Sequence, residues 1–449
     1  MAQLAYLFPT FPVFHQTFVL WEVLGLRRNG VSPKIYSLQR AGGVQQPEGR
    51  EIAREVTYLP GTASGAVWRA NWRLLRRDPR RYLRLYGTVV AAWRTGANAP
   101  AAADSGRQRV PLYNRLRGWF NGQPHIYLLK SLWLVPCGVY FAEQIAAEGI
   151  THVHAQWASY PATVAYVAHL ITGVPFSISA HAYDIYMVPR MLPAKLQAVR
   201  FAVTCAQTNA TFLTQLAGPE LGRKVIVNYH GVDVSRFVPA APAIKPAGQL
   251  SIVSCGQLER YKGMHILVAA CAQLIREGMT LDCRIIGEGP ERAQLQRQID
   301  ALGVSAQVQL LGARPHAEVA ELLRKADVFA LASELAGKAG RRDVIANVIV
   351  EAMAAGLAVV ASHIPGVEEL VDTGVTGYLV TPNSVDELIA AIRALGNHPE
   401  ERMRFGRAAR RRILQDFDSG KNVQRLARLL SGAPSDGAAD RRLPSASRA

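Results

Sequence analysis

Asp343 and Glu351 stand with seven residues between them in GRRDVIANVIVEAMAAGLAVVAS, residues 340–362. The stretch predicts a short helix, VIVEAMAA, capped by Asn347 and ended by Gly356, with the strand AVVAS after it. A helix N-terminus preceded by a loop with free backbone amides binds anions, and flanking acids accept hydroxyl protons. A nucleotide-sugar offers a phosphate to the first and hydroxyls to the second. Lys262 and Gly263 fall in the turn after the run SIVSCG, where a lysine supplies a point charge for a diphosphate. The Gly-rich stretch AGKAGRRD, preceded by Ser333 and Glu334, is a candidate cradle for phosphate and sugar. Just past the run FSISA stand His181 and Asp184, expected to face a cleft. His152, His154 and His169 read as structural or supporting residues; the HxH alternation lies on one strand and lacks a third ligand, so no metal site is expected.

Elements that would position these residues are legible in the alternation of apolar runs and helical patterns. From about Ser251 the runs SIVSCG, LDCRIIG, VQLLG, DVFALAS and AVVAS are separated by helical stretches, which predicts a parallel sheet covered on both faces. The first third repeats the theme with LAYLF, KIYSL, THVHAQ, FSISAH, AVTCA and KVIVNY. Two Rossmann-like halves follow, joined by the aperiodic PAAPAIKPAGQ at about 239–249, with a boundary near 240. In such sheets ligands bind at the carboxyl edge, where Lys262 and Gly263 are expected.

Lys and Arg number 51 against 34 Asp and Glu, a formal charge of +17, which calls for an anionic partner: nucleic acid, phospholipid or a phosphorylated substrate. The 49% hydrophobic content excludes wholesale disorder and collagen-like architectures. Five widely spaced cysteines without a CxxC pair suggest neither a disulfide framework nor zinc. The N-terminus lacks a basic stretch before its apolar run, and no uninterrupted apolar stretch reaches the ~18 residues of a spanning helix. A cytoplasmic protein that can lie on a membrane is the expectation.

Two segments stand outside the alternation. Residues 67–94 carry eight Arg against the single acid Asp78, with Trp68, Trp72 and Leu75 on one helical face and, after Pro79, Tyr82, Tyr86, Val89 and Trp93 on another. Such basic amphipathic helices suit the surface of an anionic membrane, although the stripes equally suit packing on the protein's own core. No RNA or DNA motif accompanies the patch, so nucleic acid is not the expected partner. The polar tail from Ser431 is expected to be disordered.

The acid-x7-Glu arrangement followed by AMAAG and VVAS resembles the donor signature of the family 4 retaining glycosyltransferases of GT-B architecture. That signature normally begins with Glu and continues Gly-x-Pro-Asn; this chain has Asp343, Val344, Ile345, Ala346 and Asn347. SCGQLERYKG is similar to the family's Gly-Arg-Leu-x4-Lys-Gly segment, with Gln257 at the Arg position and Arg260 as a substitute cation. The resemblance extends over most of residues 1–425, including HVHAQWASYPATVAYVAHLITGVPFSISAHAYDIY, the N-terminal FPTFPVFHQTF with His15 and Gln16 for Ser and Glu, and YHGVD with His230 for Asn.

It implies a GT-B fold, two Rossmann-like domains with a central cleft: an acceptor domain over 1–238 with a basic insert at about 63–125, a nucleotide-sugar domain over 250–412, and a C-terminal helix at 413–430 crossing back before the 431–449 tail. His181, Asp343, Glu351 and Lys262 are implied as the catalytic group. Gly256, Gln257, Arg260, Gly263, Arg314, Asn347 and Val348 would bind the donor, a UDP-sugar in preference to a GDP-sugar. His15, Gln16, Thr17 and Asp184 would bind the acceptor. The implied reaction is retaining transfer of a sugar to a hydroxyl without a metal or resident cofactor, the leaving diphosphate helping to take the acceptor proton. A lipid-linked saccharide in surface-polysaccharide assembly, met at the inner leaflet of the plasma membrane, is the implied acceptor. The departures at Gln257, Asp343 and the lost Gly-Pro also fit a non-catalytic scaffold. A sugar-nucleotide epimerase would lack the Ala-Met-Ala segment.

Overall fold

In the computed structural model, which describes residues 3–13, 17–40, 47–96, 124–186, 189–240, 249–334 and 345–432, the apolar runs form two parallel sheets. The first contains β1 (Leu4–Thr10), β2 (Lys34–Gln39), β3 (Thr57–Tyr58), β4 (His152–Gln156), β5 (Phe176–Ala180), β6 (Ala202–Thr204) and β7 (Val225–Val227), in the order β3-β2-β1-β4-β5-β6-β7. The second contains β8 (Gln249–Cys255), β9 (Thr280–Ile286), β10 (Val308–Gly312), β11 (Val328–Leu331), β12 (Ala358–Ser362) and β13 (Gly377–Val380), in the order β10-β9-β8-β11-β12-β13. VFAL and AVVAS are buried along their whole length, as strands covered on both faces must be. Each strand order reverses beside the sheet's first strand, between β1 and β4 and between β8 and β11, and the crevice at such a reversal is where open α/β sheets take ligands. This is the doubly wound pair that the sequence predicts: a GT-B fold.

The chain passes between the halves twice. After the outward passage, Val232 lies alongside the return: its N–H donates to the Phe417 carbonyl at 2.8 Å, and the Ser419 N–H donates to the Val232 carbonyl at 3.0 Å. Helix Pro399–Asp416 packs Phe405, Ala409 and Ile413 into the second core. Helix Ser419–Ser431 instead buries Leu426, Ala427 and Leu430 with Val19, Val23 and Leu26 of helix Thr17–Arg28. The crossing therefore lies at 417–418, between the two helices and within the 413–430 stretch.

A carboxylate ties the halves together. Helix Gln207–Ala217 starts at Ala206, whose side chain cannot cap it. Glu369, in the connection from β12 to β13, accepts from the Gln207 and Thr208 N–H groups at 2.6 and 2.7 Å, from the Thr208 hydroxyl at 2.6 Å and from the Tyr229 hydroxyl at 3.2 Å. Arg412 donates to the Glu369 carbonyl at 2.8 Å and holds that connection in place. Glu369→Ala is expected to cost about 1–2 kcal/mol, the worth of a lost helix cap, and to enlarge the radius of gyration in solution scattering as the halves part.

In the insert, Asp78 ends one helix and caps the next: its N–H donates to the Leu74 carbonyl at 2.8 Å and its carboxylate accepts from the Arg81 N–H at 2.9 Å. The two aromatic stripes have different fates. Tyr82, Tyr86, Val89 and Trp93 pack with Tyr127, Val135, Val139 and Val167 in the protein's own core, so this stripe is structural. Trp68 and Trp72 remain 53% and 57% exposed, and on helix Pro124–Ala147 Leu129 and Trp133 are exposed to the same degree. Residues 125–147 are long and apolar enough to cross a membrane, which the search for an uninterrupted run missed because Lys130 and Glu143 interrupt it. Half of the most apolar window of this helix is buried against the fold.

Candidate functional site

The β8–β11 reversal gathers the donor candidates. Beyond Cys255 the chain passes through Gly256 and exposed Gln257 into the turn Arg260–Lys262, which Gly263 closes. The Lys262 side chain is only 9% exposed, and its Cδ and Cε lie 3.6 and 3.7 Å from where a Cβ on Gly256 would be. Burying an ammonium group is costly unless an anion is near. Gly263 has φ +65°, and a Cβ there would stand 1.8 Å from the Ala332 carbonyl oxygen, so only glycine lets the turn approach the end of β11. Arg260 lies 3.6 Å from Glu334, which His265 also approaches at 3.6 Å. Burial raises the Glu334 carboxyl pKa, with Arg260 opposing it, and lowers His265 to about 4.

Helix Asn347–Ala354 enters the same region. The structure corrects the expected cap: Ala346 occupies the N-cap position, where its side chain makes no cap, and Asn347 is the exposed first helical residue. Among the described residues no side chain caps this N-terminus, and helix N-termini with free amides suit phosphate. Val348 is half-buried there. Half-buried Cys255 feels the charges of both: burial, then Glu351, pushes its thiol up to about 12, while Lys262 opposes. Glu351 lies 3.1 Å from Nε2 of His316, whose ring meets Phe237 edge-on at 5.3 Å. Arg314 sits at the rim, 3.6 Å from Glu318.

Glu351 raises the His316 pKa above 6.5, so their attraction is fully present below pH 6.5 and is lost as pH rises through the folded-state value. The melting-temperature gap between wild type and His316→Gln is therefore expected to be largest below pH 6.5 and to narrow above it, as read by calorimetry across pH.

On the first sheet, His181 follows β5 and is ringed by Trp157, His230 and Phe18 at centroid distances of 5.2, 5.0 and 5.8 Å. Burial, then His230 and His154, hold its pKa well below the usual value, so the ring is neutral. Trp157 adopts φ +79°, a conformation that costs a bulky residue about 1–2 kcal/mol and that collects at functional sites. Asp184 departs from its expected place at the acceptor. It is buried, accepting from the His181 N–H at 2.7 Å and from the Ala158 N–H, while buried Lys195 donates to the Ala158 and Ser159 carbonyls at 2.7 and 2.8 Å. Burial moves the Asp184 carboxyl up to about 7, against its amide partners, and Lys195 down to about 7, against Asp184. Asp184 thus fixes the turn that carries Trp157 and His181. Thr17 begins helix Thr17–Arg28, while His15, Gln16, Asp343 and the Gly-rich stretch lie outside the described residues.

Donor atoms of His181, Cys205 and His230 lie within 4.8 Å of one another, a grouping missed because its members follow three different strands. Tetrahedral zinc needs such atoms about 3.3–3.8 Å apart and the sulfur as thiolate. A spread of up to 4.8 Å is wider than that, so these three side chains as placed do not form a tetrahedral zinc site. Glu369 also escaped the sequence reading, since it acts on a partner far along the chain; the stretch 314–316 was expected to border the base pocket, and His316 stands against Glu351.

Residues 241–412 match the family described as Glycosyl transferases group 1. Over 208 residues the chain is 34% identical to WcaL of Escherichia coli K12, described as a colanic acid biosynthesis glycosyltransferase; the match covers 46% of this chain and 51% of that protein. It is 32% identical over 209 residues to a GDP-mannose-dependent alpha-(1-6)-phosphatidylinositol monomannoside mannosyltransferase of Mycolicibacterium smegmatis, covering 45% and 55% of the two chains. The alignments thus span about half the length of these relatives. Anabaena HepE, solved in complex with UDP, shares the fold with a TM-score of 0.61 at 18% identity, over 96% of this chain and 100% of its own.

Proposed function

We infer that this chain, whose residues 241–412 form a group 1 glycosyl transferase domain of the family 4 type within a GT-B fold, transfers a sugar from a nucleotide-sugar to a hydroxyl of a polysaccharide precursor. The observation that carries this reading is the conjunction at the β8–β11 reversal of buried Lys262, Glu351 and the N-terminus of helix Asn347–Ala354. In this proposal Lys262 and the amides of Asn347 and Val348 hold the diphosphate, and Glu351 takes the ribose hydroxyls from His316. Gly256 and Gly263 give the phosphates close backbone approach, with Gln257, Arg260 and Arg314 at the rim. Asp343 meets the donor sugar, and His181 meets its reacting end from the first domain. The acceptor enters beside His15, Gln16 and Thr17. The leaving diphosphate takes the acceptor proton on the face it departs from, so configuration is retained and no metal is required. Domain 1–238 then serves the acceptor and 250–412 the donor.

UDP is the favoured base, because HepE was solved with UDP; the mannosyltransferase relative makes GDP the rival. The acceptor is proposed to be lipid-linked, met by a cytoplasmic enzyme lying on the inner leaflet. Support comes from Trp68, Trp72, Leu129 and Trp133, exposed on two packed helices that also carry Arg69, Arg76, Arg77 and Lys130. Rings at headgroup depth and cations at anionic phosphate are what interfacial binding needs. A Trp68→Ala/Trp72→Ala/Trp133→Ala variant is expected to lose most binding to phosphatidylglycerol vesicles at low salt, by flotation, while keeping its melting temperature. Unchanged flotation overturns the membrane assignment.

The activity itself is tested by incubating the protein with UDP- and GDP-sugars and a lipid-linked saccharide extract. The expected product carries an anomeric configuration matching the donor's and is missing with Glu351→Gln. A correctly folded protein giving no product with any donor contradicts the proposal.

A further inference from the structure

Trp157 is held at φ +79°, and a bulky residue stays in that region only where its surroundings fix the backbone on both sides. Its own N–H donates to the Ser179 carbonyl at 3.0 Å, which carries the β4–β5 pairing one residue past Gln156. The next amide turns away from the sheet: the Ala158 N–H donates to the Asp184 carboxylate. At the other end of the same residue, the Ala158 carbonyl accepts from the Lys195 ammonium group at 2.7 Å, and the Ser159 carbonyl accepts from it at 2.8 Å. Each successive peptide group from the Trp157 N–H to the Ser159 carbonyl therefore has a fixed partner.

Lys195, in helix Leu192–Ala198, is fully buried. An ammonium group has three donors and no acceptor, and here it meets three acceptors: the two carbonyls and, at 3.2 Å, the Tyr127 hydroxyl. Asp184 is buried as well and also accepts from the His181 N–H at 2.7 Å. Burial works against both charges, and each charge favours the other. Replacing a buried ion pair by apolar residues of like volume is often neutral or stabilising, so such a pair is weak evidence of stability and points instead to a use in fixing one geometry. Capping the following helix does not call for it, since Ser159 is the N-cap of helix Tyr160–Thr172 and its carbonyl already accepts from the Thr163 N–H at 3.1 Å. What the pair fixes is the approach of two rings. The Trp157 ring stands 5.2 Å from the His181 ring, and the Asp184 carboxylate joins the backbones that carry both.

We propose that Lys195 and Asp184 are positioning residues: gripping Ala158 from opposite ends, they hold Trp157 in its left-handed conformation and set its ring against His181 at the reacting end. Both are buried and act through Trp157 and His181. Lys195 stands 37 residues beyond Ala158 in the chain, so no local pattern marks it. The consequence for transfer rests on the role given to His181 above; the grip on the Trp157 backbone does not.

The test uses the full chain carrying 5-fluorotryptophan, without ligand, read by 19F NMR; the Trp157 signal is the one missing from Trp157→Phe. Wild type is expected to give a single Trp157 signal. Lys195→Met keeps the volume of the stem and removes all three donors. It is expected to move or split the Trp157 signal and to lower kcat about 10–100-fold, the scale of a misplacement of about 1 Å at a reacting group. Donor KM is expected to stay unchanged, because the second domain holds the donor. An unmoved Trp157 signal in a Lys195→Met protein that melts cooperatively overturns the proposal. So does an unchanged kcat beside a lowered melting temperature, the mark of a purely structural role. Should Lys195→Met not fold, hydrogen exchange of the wild type decides: the Trp157 and Ala158 amides are expected to exchange as slowly as the Val153 amide of β4, and rapid exchange at Ala158 overturns the proposal. A moved Trp157 signal in a variant whose wild type transfers no sugar leaves the grip on the backbone standing and removes the transferase reading.

Discussion

Lys262→Met is expected to lower kcat for sugar transfer by about 10²–10³-fold while leaving the fold intact. The lysine stem lies across Gly256 in a buried position, and methionine fills that path with similar volume. What is lost is the charge. When the bond to the anomeric carbon breaks, negative charge collects on the leaving diphosphate, and a preorganised cation in a site shielded from water stabilises that charge more than it stabilises the bound donor. Removing one such donor in other enzymes costs this much in rate. Arg260 is unsuited to take over, since it is partly exposed and directed toward Glu334. The checks are initial rates at saturating donor and a melting curve. A loss confined to donor KM would show that Lys262 binds ground and transition states equally.

Gly263→Ala is expected to destabilise the second domain by about 2–5 kcal/mol, from roughly 1–2 kcal/mol for a left-handed backbone and 1–3 for overpacking. The added Cβ would meet the Ala332 carbonyl oxygen at 1.8 Å, and backbone cannot swing aside as a side chain can. Gly30 provides the control: its φ is +77°, and a Cβ there has nothing within 4 Å, so Gly30→Ala is expected to cost only the backbone part, about 1–2 kcal/mol. Urea unfolding of both variants separates the two contributions. In Gly263→Ala the turn that carries Lys262 must also move from β11, so nucleotide affinity is expected to fall together with stability. Equal costs at the two glycines would show that the turn is free to retreat.

Strands and domain order were legible because runs such as VFALA and AVVAS are apolar on consecutive residues, the mark of a sheet covered on both sides. Lys262, Gly263 and Glu351 were legible because short-range patterns place them after a strand or on a helix next to one. Other features depend on partners far along the chain. Asp184 resembles a cleft residue until the Ala158 amide, 26 residues earlier, is seen to use its carboxylate. Glu369 caps a helix 162 residues earlier, and nothing local marks it. The two aromatic stripes of the insert have similar periodicity, yet one is buried and the other exposed, because periodicity gives a face without saying what covers it. Asn347 favours a cap by type, but the helix starts with Ala346 in that position. His152 and His154 were expected to be structural, but only the neighbouring strand shows how: Ser177 and Ser179 pair with their buried rings.

The claim on which the rest depends is that a nucleotide diphosphate seats at the β8–β11 reversal against Lys262 and Glu351. The most direct measurement is a thermal-shift titration of the full chain with UDP, GDP and ADP, beside Glu351→Ala. A ligand that binds only the native state at a hundredfold excess over its dissociation constant adds about 2.7 kcal/mol of stability. The expected result is a rise in melting temperature with one base, UDP in preference to GDP, that is lost in Glu351→Ala. A folded wild-type protein whose melting temperature moves with none of the three, or moves equally in the variant, would contradict the account.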